Sequence, residues 1–396
     1  MEWVLLTASD QLHEAFGEFV AAIQAAERSV RASPTFVGEG EQSRGYQHLL
    51  RTLMKSVERE LTHDPVRPRF RVLDDRVRTG GDNPDQQYWF AHIEPGGRYR
   101  VVGRLGSAKR LEMQLYSREP YGAEDVGVSY LTHEEISFDT DGRFTVELGP
   151  SLAFDSAGAT ILQVREIYDS WFETVASELV IELIGAPGPP QPRSVDEVTA
   201  MFARAAHDLE RSAEAWPNLI ADRVLRFLEP NSVAPLRNPG GSAGVEGRWM
   251  TIGPYRLDGS DAAVVVSLCD IGAEYVGIQL ADLWMSSLEY ADASSSRTGA
   301  QSHRAPDGRM YHVISLEDPG YQNWLDPVGV ATGIVHVRID GLTGVAEPWH
   351  EPTLTQTTTA QLEDIIPGYR QGVLSPDGRT IELAQRRRHI QKRYGR

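Results

Sequence analysis

"TGIVHVRIDG" (332–341) decides how this chain is read. Val335, Val337 and Ile339 alternate with His336 and Arg338, the period-two pattern of a β-strand with one apolar and one polar face. A solvated face would carry threonine or serine as readily. A guanidinium inside a strand must be solvated or paired, because an unpaired buried charge costs several kcal/mol. Asp326 is the expected partner of Arg338, and a ligand carboxylate or phosphate could take its place. His336 and Arg338 are read as the hydrogen-bonded face of a closing strand, with Trp324 nearer to any ligand.

The same strand occurs earlier. "LQVREI" places Arg165 between apolar neighbours as "VHVRID" places Arg338. "KRLEMQLYS" (109–117) aligns with "EYVGIQLAD" (274–282), matching Gln114 to Gln279. A "DGR" turn follows each glutamine, 27 positions on at Asp141 and 28 positions on at Asp307. The chain therefore reads as two copies of one β unit. Most of the five Asp-Gly pairs stand where hairpins need a positive-φ residue.

Outside these units the periodicity is helical. Leu12, Phe16, Phe19, Val20 and Ile23 mark one helix, and a second runs from about Gln42 to Leu61. "EIYDSWFETVASELVIELIG" also reads as helical. A Pro-rich link (185–194) follows, and Ser194 with Glu197 forms a capping box that opens the next helix. The expected fold class is α+β, mainly β: two related antiparallel β-sandwich domains with a helical N-terminal cap and bridging helices. The expected boundaries are 1–66 for the cap, 67–165 for the first sandwich, 166–240 for bridging helices and linker, 241–345 for the second sandwich, and 346–396 for a C-terminal segment with a basic helix.

The 396 residues carry 39 basic and 56 acidic side chains, a formal charge of −17, which disfavours nucleic acid and anionic membrane as partners. The basic tail "RRRHIQKRYGR" is expected to fold back on the body. A single cysteine, Cys269 in an apolar run, fits a buried hydrophobe in a reducing compartment. No window has the roughly 20 apolar residues of a membrane span, so a cytoplasmic protein is expected. "GGSAG" (240–244) matches a nucleophile-elbow pattern but lacks the flanking strand and helix, which leaves Ser242 in a loop. "FDTDGRF" reads as a hairpin turn rather than a calcium loop. The eleven His residues show no metal-ligand spacing.

"DNPDQQYWFAHIEPGGRYRVVGRLG" (82–106), "GIQLADLWMSSLEY" and the "NWLD…G…R" block resemble the bacterial proteins grouped as domain of unknown function 1214, often joined to the related 1254 domain. The resemblance spans nearly the whole chain. It implies antiparallel β-sandwiches interleaved with helices and carries no general reaction.

Polar residues set among aromatics supply the candidate site, at the junction of the two sandwiches. Asp85 or Asp282 is the candidate base, and His303 or Tyr290 the candidate proton donor. Asn83, Tyr88, His92, Arg100, Gln279, Trp284, Trp324 and Arg338 are the candidate ligand-binding residues. The expectation is an enzyme acting by acid–base chemistry on a mostly apolar small molecule, without metal or cofactor. The alternative is a non-catalytic ligand-binding or assembly protein, which predicts a defined homo-oligomer, whereas a stable monomer with a deep pocket would favour the enzyme.

Overall fold

The computed structural model describes residues 7–122, 124–185, 188–240 and 244–395. The first sandwich contains β1 (Arg71–Leu73), β2 (Gln86–His92), β3 (Tyr99–Arg104), β4 (Arg110–Tyr116), β5 (Gly127–Leu131), β6 (Arg143–Gly149), β7 (Phe154–Asp155), β8 (Ile161–Ile167) and β9 (Glu178–Leu183). A sheet of order β1-β2-β8-β4-β5 packs on one of order β7-β6-β3-β9. Between them, Leu111, Met113, Leu115, Leu162 and Val164 meet Tyr99, Val101, Phe144, Val146 and Leu148.

The second sandwich contains β10 (Trp249–Arg256), β11 (Ala262–Leu268), β12 (Tyr275–Ala281), β13 (Ser296–Thr298), β14 (Met310–Ser315), β15 (Trp324–Leu325), β16 (Thr332–Asp340) and β17 (Thr353–Thr358). Its sheets have the orders β10-β16-β12-β13 and β15-β14-β11-β17. Apart from the added edge strand β1, the two sandwiches match strand for strand. Even the parallel pairs correspond, β7 on β6 and β15 on β14. Gln114 on β4 and Gln279 on β12 occupy equivalent positions, opposite Gln163 and His336. Arg165 and Arg338 stand two residues further along the same partner strands.

Two boundaries differ from the sequence expectation. Residues 166–183 are not a bridging helix: they finish β8 and form β9, so the first sandwich runs to Leu183 and the bridging helix begins only at Val195. The physical reason lies in "ELVIEL", where Ile181 is buried and Val180 exposed, a period of two that outweighs the helical spacing around it. The second sandwich likewise extends past residue 345 to take in β17.

The helices α1 (Ala8–Ala32), α2 (Gly38–Leu61) and α3 (Val195–Leu219) pack together, α2 starting four residues before the expected Gln42. Ser194 and Glu197 form the expected capping box. Pro217 lies inside α3, and the chain continues as a π-helical turn, Ile220–Leu225. A proline withdraws an N–H from the helical ladder, and π turns are frequent at such interruptions. After the one-turn helix α4 (Leu362–Ile365), the basic helix α5 (Pro376–Arg393) folds back, as the tail was expected to do. Arg386 donates to the carbonyls of Tyr290 and Ser296, each at 3.0 Å, and stands over the Trp171 ring, while Arg393 donates to Pro84 O at 2.6 Å.

What holds the two sandwiches together is polar. Every residue of β4 and β8 is buried, as are Gly333–Asp340 of β16. One face of each strand fills its own sandwich and the other meets the opposite sheet. Arg248 spans this seam, reaching Glu112 Oε2 of the first sandwich and Asp340 Oδ1 of the second, both at 2.5 Å. Arg110 on β4 reaches Glu274, just before β12, at 2.5 Å. Tyr275 donates to Asp85 Oδ2 at 2.8 Å, over Gly277, where a Cβ would stand 2.9 Å from that same oxygen.

Removing Arg248 would leave two buried carboxylates without their shared cation. Arg248→Met is expected to cost about 3–5 kcal/mol in urea unfolding. Arg256→Met, which breaks a half-exposed pair with Asp258, is expected to change the midpoint little. Equal effects of the two substitutions would contradict this account of the seam.

Candidate functional site

The seam does not close completely. Between the sheets lies a cavity of about 540 Å³, within the range of small-molecule sites. The first sandwich lines it with Gln86, Tyr88 and Phe90 of β2, Tyr116 of β4, and Gln163 and Arg165 of β8. The second supplies Met250 and Ile252 of β10, and His336 and Arg338 of β16. Trp216 and Leu219, at the interrupted end of α3, form an apolar wall with Met285.

The 79–82 loop closes one side. Gly80 and Gly81 both have positive φ, and the two bring the backbone against Trp216 and Met285, where a Cβ would stand 2.9 and 2.8 Å from the nearest atoms. This approach lets Gly81 N donate to Met285 O at 2.8 Å and leaves Gly81 O facing Arg338.

Arg165 and Arg338 are at least nine-tenths buried, 5% and 8% exposed. Arg165 donates to Gln114 Oε1 at 2.7 Å and to the Tyr116 hydroxyl at 2.6 Å. Arg338 donates to Gln279 Oε1 and to Gly81 O. All four acceptors are neutral, and neither guanidinium forms an ion pair among the described residues. Glu112 stands opposite Arg165 in the β-ladder, but its carboxylate is turned to Arg248 and Arg110. Asp85 lies within electrostatic reach of Arg338 but accepts from Tyr275. The expected Arg338–Asp326 pair does not form: Asp326 caps its own turn, accepting from Val328 N at 2.7 Å.

His336 Nε2 and Thr79 Oγ1 are buried on the cavity wall without a hydrogen-bond partner among the described residues. Burial, and then the adjacent Arg338, hold the His336 imidazole well below its ordinary pKa, so it stands neutral. The Tyr88 hydroxyl accepts from Asn83 N at 3.1 Å; its pKa is raised by burial, against the pull of both Arg338 and Arg165.

The residues singled out from the sequence separate into groups. Tyr88 and Arg338 line the cavity. Gln279, Asn83 and Asp85 stand behind it: Gln279 Nε2 donates to Asp82 O at 2.8 Å, and Asn83 Nδ2 reaches Tyr275 Oη at 3.0 Å. The others lie elsewhere. Asp282 accepts from Trp284 N and Ser286 N at 2.9 and 3.0 Å, and Trp284 is packed into the helices, its Nε1 donating to Glu41 O. Tyr290 lies under the Arg78 guanidinium. His303 is tied to Asn323 through its backbone, and Trp324 Nε1 donates to Ser315 O at 3.0 Å, so Trp324 is not the cavity's aromatic. His92 lies against His63 with the rings tilted by 53°, and Arg100 pairs with Glu147 and Glu182 on an outer sheet face. Cys269 is half-buried, and Ser242 lies outside the described residues.

Arg165, His336, Gln163, Tyr116 and Trp216 are among the cavity residues that the candidate set lacked. The Gln–Arg pair recurring in both copies was the available signal for Arg165, and the alternation of "VHVRID" for His336. Nothing in the sequence points to Trp216, because its place depends on where α3 breaks.

The chain is similar in structure to an uncharacterised protein from Burkholderia cenocepacia, at TM-score 0.78 and 20% identity, covering 89% of this chain and 99% of that one. That likeness is one of fold. The VPA0106 protein from Vibrio parahaemolyticus is matched at TM-score 0.43 and 10% identity over 85% of this chain and 100% of its own, too distant to support an argument. No family model and no curated protein matches the chain. Among the described residues no helix is long and apolar enough to cross a membrane.

Burial pushes the Asp282 carboxyl up to about 7 and that of Asp85 up to about 6. A carboxyl raised in the folded state ionises first in the unfolded chain, so stability falls as pH rises from about 4 through those values. Asp282→Asn keeps the Oδ1 acceptor and removes the ionisation. Its urea midpoint is expected to gain on the parent protein between pH 4.5 and pH 8; a difference that stays constant across that range would contradict the shift.

Proposed function

We propose that the seam cavity binds a small molecule with an anionic group and an apolar body. The observation that carries this reading is the pair Arg165 and Arg338, two buried guanidiniums that face one cavity and meet only neutral acceptors. Buried charge of this kind is costly in the empty protein and is relieved by an anion. A carboxylate or a phosphate matches the planar fork through charge-assisted hydrogen bonds. Phe90, Trp216, Leu219, Met250, Ile252 and Met285 offer the apolar body its surface. The matched strand orders and the repeated Gln–Arg pair further support descent of the two sandwiches from one duplicated unit, so that the seam is where the copies' equivalent faces meet.

Acid–base catalysis on the bound molecule is a second reading, favoured by His336. It is a neutral imidazole with a free Nε2 on the cavity wall. Asp85, Asp282, Tyr290 and His303, named from the sequence for that role, do not line the cavity. If the site is catalytic, His336→Asn should abolish turnover and spare binding.

Isothermal titration with aliphatic carboxylates and alkyl phosphates tests the binding. At least one class is expected to bind, and Arg165→Gln or Arg338→Gln to weaken it by about tenfold or more. In the ligand-free protein the same substitutions are expected to cost under about 1 kcal/mol, because neither guanidinium is held in an ion pair. A loss of several kcal/mol without any anion binding would make both arginines structural and overturn the reading.

A further inference from the structure

Resting on that anion-site reading, we infer that the ligand is a dianion: two anionic groups joined by an apolar spacer, one held at Arg165 and the other at Arg338. Three observations lead there. The two arginines come from opposite walls of the cavity, one from each sandwich, at equivalent positions of β8 and β16. Each is oriented in the same way, by the glutamine of the neighbouring strand, Gln114 or Gln279. Each spends its protein hydrogen bonds on neutral oxygen and keeps its remaining N–H groups for another acceptor.

Other buried cations on the wall each stand beside a carboxylate, Arg71 at 3.7 Å from Glu58. Arg248 is held by Glu112 and Asp340. Lys55 lies 3.4 Å from Glu119 and 3.5 Å from Asp208. A monoanion would balance one free guanidinium and leave the other as it was. A molecule with an anionic group at each end balances both, and its spacer lies along the apolar wall of Trp216, Leu219 and Met285. Tyr88 stands beside Arg165 in the β2–β8 ladder, and its hydroxyl feels the charge of both arginines. That hydroxyl accepts from Asn83 N, and its own proton has no acceptor among the described residues. It can therefore donate to a group held between them.

The test is a titration series of α,ω-dicarboxylates of increasing chain length, each beside the monocarboxylate of the same length, with alkane bisphosphonates and monophosphonates as the second arm. One chain length is expected to bind about tenfold or more tighter than its monoanionic counterpart. The arm that shows this optimum identifies the anionic group as carboxylate or phosphate. Arg165→Gln and Arg338→Gln are each expected to reduce the preferred dianion to the affinity of the monoanion. The comparison of mono- with dianions on the unaltered protein stands even if a variant fails to fold. Monoanions that bind as tightly as dianions of every length would overturn the dianion assignment and leave the anion site intact. Absence of binding by all four series would overturn both.

Discussion

The structure depends on burying two polar sheet faces against each other. Sandwiches usually turn one face of each sheet to water; here β4, β8 and β16 have no wet face. Every polar group on them must find a partner, in its own sheet or across the seam, because a buried donor or acceptor left alone costs about 1–3 kcal/mol and a charge costs more. Most do. Arg248 joins Glu112 to Asp340, Tyr275 joins Asp85 to Asn83, and Gln279 ties β12 to the 79–82 loop through Asp82 O. Helix α5 adds Arg386 and Arg393, which bind backbone carbonyls on the two sides. The sandwiches are thus joined by specified hydrogen bonds, with one small apolar cluster of Ala108, Tyr168, Trp171, Tyr290 and Ile390 beside them, and the hydrogen bonds fix their register.

Four groups with capacity to spare stand together where the seam opens. Arg165, Arg338, His336 and Thr79 keep unused hydrogen-bonding capacity, and all four line the same cavity. Arg386 and Arg393 also meet only neutral oxygen, so what sets Arg165 and Arg338 apart is that both face the seam cavity, beside the unpartnered His336 Nε2 and Thr79 Oγ1, a local departure from the seam around it. Such departures are expected at functional positions, where the cost is recovered when a ligand arrives. The chain also builds the walls there at some expense, with two positive-φ glycines in succession and a proline that breaks α3.

Much of this was legible in the sequence. Alternation in "VHVRID" and "LQVREI", with the glutamine at matching distance, marks the two units and their equivalent strands. The helical cap and the capping box at Ser194 follow from periodicity and spacing. The seam did not follow, because alternation says which residues share a face and is silent on whether that face meets water or another sheet. Hence Arg338 was assigned to Asp326, which is near in sequence, when its partners are Gln279 and Gly81. Asp282 and Tyr290 were drawn into the candidate site for their chemistry, yet the fold uses them to cap a turn and to seat Arg78. Trp216 was invisible as a site residue until Pro217 was seen to redirect the helix.

The central claim is that the cavity between equivalent faces holds two guanidiniums awaiting negative charge. Crystals soaked in bromide, with data collected at the bromine edge, test it most directly. Anomalous peaks against Arg165 and Arg338, inside the seam and absent from Arg248, are the predicted result. Bromide confined to the outer surface, with both guanidiniums seated on protein carboxylates, would contradict it.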